Sequence, residues 1–179
     1  MKKIIAFSGS NSINSINQKL VQIAASYVSD KNIEVEILNL RDYPAVVFGT
    51  EEESVNGFPE SMIAFHAKML EADGYLVSTP EHNGSYPAVL KNTLDWLSRM
   101  GGKTFNDKPA VLLATSPGAR GGASILTHLL AIMPYQGAKV IGGHGLGSFH
   151  DKVLDGQLVP GEDKEKIQEL INELSKAVA

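Results

Sequence analysis

The sequence predicts a doubly wound, three-layer α/β fold. Short apolar runs alternate with longer amphipathic stretches along its 179 residues. One run, Ala110-Val-Leu-Leu-Ala114, is apolar at every position, as a parallel strand buried on both faces requires. The loops after the first, third and fourth runs are polar and rich in turn residues, which is where such sheets bind ligands.

The first strand is Lys3–Phe7. Leu20, Val21, Ile23, Ala24 and Val28 stand at helical spacing and mark a helix over Gln18–Ser29. Glu34–Leu40 alternates as a second strand through Val35, Ile37 and Leu40. Residues Leu40–Gly57 contain Pro44, Gly49 and the acidic run Glu51-Glu52-Glu53, and read as an irregular surface excursion. Pro59 starts a helix reaching about Ala72. Gly74–Thr79 is the third strand, and a helix from about Pro87 to Met100 stops at Gly101-Gly102. On that helix Trp96, with Leu90, Leu94 and Leu97, is core or interface. Pro109–Thr115 is the fourth strand, Gly121-Gly122 opens a helix to about Met133, and Lys139–Ile141 is a short fifth strand. Gly142–Gly161 reads as irregular, with Gly142–Gly147 a flexible connection after the last strand. Glu162–Val178 is a final amphipathic helix carrying Ile167, Leu170, Ile171 and Leu174. No repeat or linker interrupts the pattern, so one domain spanning 1–179 is expected. The pattern leaves the strand order open.

The net charge of −4, with 16 Lys+Arg against 20 Asp+Glu, argues against nucleic acid as the partner, since phosphate neutralisation needs clustered cations. Without cysteine there is no disulfide framework, thiolate nucleophile or thiolate metal site. The apolar run after Lys2-Lys3 is too short for a signal-peptide core, and no stretch could span a bilayer. A cytoplasmic location, away from membranes, is the expectation. His144 and His150 on a glycine-rich segment lack a third partner at metal-ligand spacing and read as solvated loop histidines; no metal is expected.

The first loop, Ser8–Asn17, offers four serine hydroxyls, three asparagines and a helix N-terminus, with no acidic residue. Those groups suit a phosphate monoester; they equally suit a polar loop in which Ser15 or Asn14 caps the helix. It is neither a Walker A loop nor a dinucleotide fingerprint. In the second loop, Asn83-Gly84 tolerates positive φ and lets the main chain approach a flat ligand, or forms an ordinary turn. In the third, Thr115–Gly122, the glycines permit close backbone contact. Arg120 at its tip is a solvated charge or a positive group facing a ligand.

Residues 80–99 resemble the flavin-contacting loop and following helix of the NAD(P)H-dependent FMN reductase family, which includes chromate, azo-dye and quinone reductases. Asn83-Gly-Ser-Tyr-Pro-Ala88 and Leu90-Lys-Asn92 match without a break; His82 replaces the usual Tyr. The family's Gly-Ser-x-Arg-x-x-Ser-x-Asn is matched by Gly9, Ser10, Ser15 and Asn17, with Ser12 in place of Arg. Its Ser-x-Gly-x-x-Gly-Gly is matched by Ser116, Gly118, Gly121 and Gly122. The resemblance implies a flavodoxin-like sheet of order 2-1-3-4-5, FMN as cofactor, NAD(P)H as co-substrate, and a homodimer or tetramer. It places Ser10, Ser12, Ser15, Ile16 and Asn17 at the phosphate. Pro80, Glu81, His82, Asn83, Gly84, Ser85, Ser116, Gly118 and Gly121 would surround the ring, with Arg120 and His82 on the nicotinamide side. No side chain is expected to be catalytic, because the cofactor carries the chemistry.

The implied function is ping-pong hydride transfer through flavin N5 to a flavin, quinone, azo compound or similar small acceptor. The alternative is a flavodoxin-like electron carrier that does not itself oxidise NAD(P)H. Mild acidity and few aromatics near the ring favour the enzyme. A third reading makes the flavin a regulatory ligand.

Overall fold

The computed structural model describes all residues 1–179. Five parallel strands form one sheet: β1 (Lys2–Ser8), β2 (Ile33–Asn39), β3 (Gly74–Thr79), β4 (Lys108–Thr115) and β5 (Ala138–Leu146). Their order is β2-β1-β3-β4-β5, the flavodoxin-like order, which reverses direction of growth between β1 and β3. Because every pairing is parallel, the carboxyl ends of all five strands, and the loops that leave them, share one edge.

Alternation along the strands divides the core into two layers. Ile4, Ala6, Leu76, Val111 and Leu113 pack against α1 (Ile16–Ala25) and α7 (Glu162–Val178). Ile5, Phe7, Tyr75, Val77 and Leu112 pack against α3 (Glu60–Leu70), α4 (Ala88–Arg99) and α5 (Ala123–Ile132). Every residue of β3 is buried, which accounts for its lack of polar alternation. Trp96 is wholly buried and donates from Nε1 to the Val46 carbonyl at 2.9 Å; it belongs to the core. No helix is long and apolar enough to cross a membrane.

Three expectations need correction. Residues 40–57 are not wholly irregular: Leu40–Asp42 form a 3₁₀ turn and Thr50–Asn56 form α2, whose first turn carries Glu51, Glu52 and Glu53. Acidic side chains at a helix start are favourable, so this helix had a readable signal. The fifth strand continues to Leu146, through Gly142, Gly143 and Gly145. These glycines are places of close approach rather than flexibility. A Cβ on Gly142 would lie 2.8 Å from Leu170 of α7, and one on Gly143 would lie 2.8 Å from the Leu112 carbonyl. Beyond it, α6 (Phe149–Lys152) and a hairpin of β6 (Val153–Leu154) and β7 (Gln157–Leu158) order the stretch before α7.

His144 is accordingly a strand residue. Its Nε2 lies 2.7 Å from Asp163 Oδ1, and Lys152 Nζ bonds the other carboxylate oxygen. Burial opposes the charge on Asp163, but the hydrogen bonds from Lys152 and His144 outweigh it and hold this carboxyl below its ordinary range. The trio fastens the start of α7 to β5 and α6. His150, on α6, is exposed as expected.

Candidate active site

Loop 1 runs from Gly9 to Ser15 between β1 and α1, and is held to the sheet by Gly9 N–H donating to the Ser78 carbonyl at 2.8 Å. Ser15 is the N-cap of α1: its hydroxyl oxygen accepts from Gln18 N–H at 3.1 Å. Ser10 Oγ accepts from Ser12 N–H at 3.2 Å. Both hydroxyl protons stay free to donate outwards. The backbone N–H groups of Ile16 and Asn17, in the first turn of α1, have no acceptor in the protein. A helix start with unpaired donors, flanked by hydroxyls, fits a phosphate group.

Asn17 differs from its expected role. Its side chain is buried and spent internally: Nδ2 donates to the Thr115 carbonyl at 3.0 Å, while Oδ1 accepts from Thr115 N–H at 3.0 Å and Ser78 Oγ at 2.7 Å. The amide thus mimics a neighbouring strand and ties the start of α1 to the ends of β3 and β4. Only its backbone N–H is left for a phosphate.

Loop 2 is a two-residue hairpin turn. His82 and Ser85 exchange backbone hydrogen bonds of 3.0 and 3.1 Å, with Asn83 at φ 52° and Gly84 at φ 77° between them. Positive φ at both central positions is the type I′ geometry that Asn-Gly favours. The N–H groups of Asn83 and Gly84 have no acceptor in the protein and can meet the polar edge of a ring. Ser85 Oγ lies 3.5 Å from His128 Nδ1, and Tyr86 donates to the His128 carbonyl at 3.4 Å. Glu81 reaches away from the turn, its Oε2 accepting from Ser124 and Ile125 N–H at 3.0 and 3.2 Å.

Loop 3 is knotted around the Gly118 carbonyl, which accepts from Ser116 Oγ, Ser148 N–H and Gly121 N–H. Arg120 at the tip is exposed and donates to Ser124 Oγ at 2.9 Å.

A cleft of about 480 Å³ joins the loops. It brings together Ser10, Ser12, Ser15, Ile16 and Asn17 with Pro80, Glu81, His82 and Ser116. Asn83, Gly84, Ser85, Gly118, Arg120 and Gly121 lie outside its lining, on the continuing rim of loops 2 and 3. Asn14, Thr115, Pro117 and His150 also line it and were not among the expected ligand residues; Asn14 is expected only as a candidate helix cap and His150 as a solvated histidine. Nothing in the chain marks His150 for this place, because it arrives from α6, far along the sequence. Of the lining side chains only His82 and His150 can carry positive charge, and Glu81 is the sole acid.

A family model described as NADPH-dependent FMN reductase matches residues 2–151. An NAD(P)H-dependent FMN reductase of Pseudomonas aeruginosa is 30% identical over 178 residues, 96% of this chain and 92% of that protein. A 2-hydroxy-1,4-benzoquinone reductase of a Burkholderia species is 35% identical over 134 residues, 74% of this chain and 70% of that one. The flavoenzyme NAD(P)H:(acceptor) oxidoreductase of Paracoccus denitrificans superposes with a TM-score of 0.80 at 23% identity, covering 99% of this chain and 97% of its own. With the unpaired donors of α1 and the open turn of loop 2 meeting at one edge, the chain belongs to the NADPH-dependent FMN reductase family, as an oxidoreductase whose cofactor is FMN.

Proposed function

We infer that this chain oxidises NAD(P)H and reduces a small acceptor, a quinone, azo compound or free flavin, in two half-reactions at one site. The carrying observation is the cleft in which free N–H donors of α1 and free hydroxyls of loop 1 meet Pro80, Glu81 and His82, the residues that lead into the Asn83-Gly84 turn. FMN supplies the hydride chemistry when bound, taking two electrons from the nicotinamide and giving two to the acceptor. The protein's part is to orient and to stabilise charge. Ser10, Ser12, Ser15 and the N–H groups of Ile16 and Asn17 receive the phosphate. Asn83, Gly84 and Gly118 N–H face the ring edge, where preorganised donors favour added negative charge. Arg120 and His82 stand on the open side where nicotinamide and acceptor alternate. Exposed Val46, Val47, Phe58 and Ile63 on the α3–α4 side support a homodimer.

The test is a visible spectrum of the protein with FMN, followed by anaerobic NADH or NADPH. Bound flavin that bleaches, with parallel-line initial-rate kinetics against a quinone, is the expected result. Bound flavin that neither nicotinamide bleaches would make the chain an electron carrier instead.

The missing cation of loop 1 gives a second expectation. Ser12→Arg adds a permanent charge beside the phosphate donors, so FMN should bind about tenfold tighter, a charge-assisted gain. Most of that gain should vanish on raising salt from 0.05 to about 0.5 M. Calorimetric titration at the two salt concentrations checks it; equal affinity of variant and parent at low salt would remove Ser12 from the phosphate site.

A further inference from the structure

Helix α5 begins directly after loop 3 and has no cap of its own. Its N-cap position is Gly122, at φ 73°, which has no side chain to offer. The N–H groups of the second and third helical residues, Ser124 and Ile125, are the ones an N-cap side chain ordinarily receives. Here both go to one carboxylate oxygen of Glu81, a residue 43 and 44 positions away on loop 2. A negative group at that point also complements the positive end of the helix. Glu81 therefore does for α5 what Ser15 does for α1, but from another loop.

We propose that Glu81 is a positioning residue for the flavin. Its side chain clamps loop 2 to the first turn of α5, and so fixes the separation of loops 2 and 3, between which the ring is held. The rest of loop 3 is already anchored. Its Gly118 carbonyl is tied to Ser148, and a Cβ on Gly121 would lie 2.7 Å from the backbone nitrogen of Gly147. Loop 2 has no comparable anchor of its own beyond the His82–Ser85 turn, and its only side-chain bonds from the turn are the long contacts to His128. The carboxylate of Glu81 is what registers the turn against that fixed frame. This assigns Glu81 to geometry rather than to direct contact with the ring.

The inference rests on the FMN reading, and its test separates the two. Amide hydrogen exchange of the FMN-free protein is compared for the parent, Glu81→Ala and Glu81→Gln, alongside FMN affinity by flavin fluorescence quenching. Glu81→Ala should lose protection at Ser124 and Ile125, speed exchange across loop 2, and weaken FMN at least about tenfold, as expected for loss of a cap plus loss of alignment. Glu81→Gln keeps a carbonyl oxygen that can accept both N–H groups, so it should recover most of the protection and most of the affinity. It also serves if the alanine variant fails to fold. Unchanged exchange at Ser124 and Ile125 would overturn the clamp. Equal loss of FMN affinity in both variants, with exchange intact in Glu81→Gln, would mean that the carboxylate touches the flavin, and would overturn the positioning role. If the parent itself binds no FMN, the cofactor reading fails and the positioning role with it, whereas the exchange arm still reports the clamp.

Discussion

Asn17→Asp is expected to destabilise the protein by about 3 kcal/mol or more at neutral pH and to abolish measurable FMN binding. The amide of Asn17 is buried and makes three hydrogen bonds, two to the backbone of Thr115 and one to Ser78 Oγ. Aspartate keeps an acceptor for Thr115 N–H and Ser78 Oγ but sets a charged oxygen against the Thr115 carbonyl, where the amide donated at 3.0 Å. Burial and that repulsion both disfavour the ionised form, so the variant carboxyl would titrate above its unfolded value. The sign follows from linkage: a carboxyl whose folded pKa is raised costs little below its unfolded pKa, and its penalty grows as pH rises above it. Protonated, it can donate to the Thr115 carbonyl as the amide does. Urea midpoints of parent and variant should therefore converge near pH 4 and separate by pH 7. A separation that does not depend on pH would refute the account.

Asn17→Ala gives the uncharged comparison. It strands the Thr115 N–H and carbonyl and the Ser78 hydroxyl, each costing about 1–3 kcal/mol if left dry, less whatever water can enter the gap. Its penalty should be constant with pH. Because Asn17 joins the start of α1 to the ends of β3 and β4, both variants should also misalign the phosphate donors with the ring turn.

The fold was legible because parallel strands buried on both faces leave a plain mark. Gly74–Thr79 and Glu162–Val178 fall where the apolar runs and helical stripes put them. The fifth strand runs beyond its expected end at Ile141 for the opposite reason. Gly142, Gly143 and Gly145 carry no side chain and hence no strand signal, and the need for small residues arises from β4, α5, α7 and loop 3 lying against them. The site shows the same division. Loop chemistry marks segments that the fold gathers around one cleft, and the Asn83-Gly84 turn has the backbone geometry its residues favour. What sequence could not supply was where a polar side chain spends its hydrogen bonds. Asn17 and Thr115 are 98 residues apart, and Glu81 and Ser124 are 43. A residue can sit in a ligand loop while its side chain serves the scaffold beneath.

Gly121→Ala is the other change with a large expected effect, about 2–4 kcal/mol of stability together with displacement of loop 3 and weakened FMN binding. Gly121 has φ 57°, a conformation that costs an alanine about 1 kcal/mol. The larger part is steric. The new Cβ would lie 2.7 Å from Gly147 N, 2.8 Å from the Leu146 carbonyl carbon and 2.9 Å from that of Gly145. All three are backbone atoms at the end of β5 and cannot swing aside as a side chain could, so the loop must lift. Two further glycines isolate the contributions. Gly84 has φ 77° but nothing within 4 Å of an added Cβ, so Gly84→Ala should show the conformational cost alone, about 1 kcal/mol. Gly118 has neither a positive φ nor a neighbour within 4 Å, and Gly118→Ala should be neutral or slightly stabilising, since it restricts the unfolded chain. Denaturation midpoints should rank Gly118→Ala, Gly84→Ala and Gly121→Ala in falling order. If Gly121→Ala unfolds no more easily than Gly84→Ala, loop 3 is not braced on β5, and the fixed frame against which Glu81 registers the ring turn is lost with it.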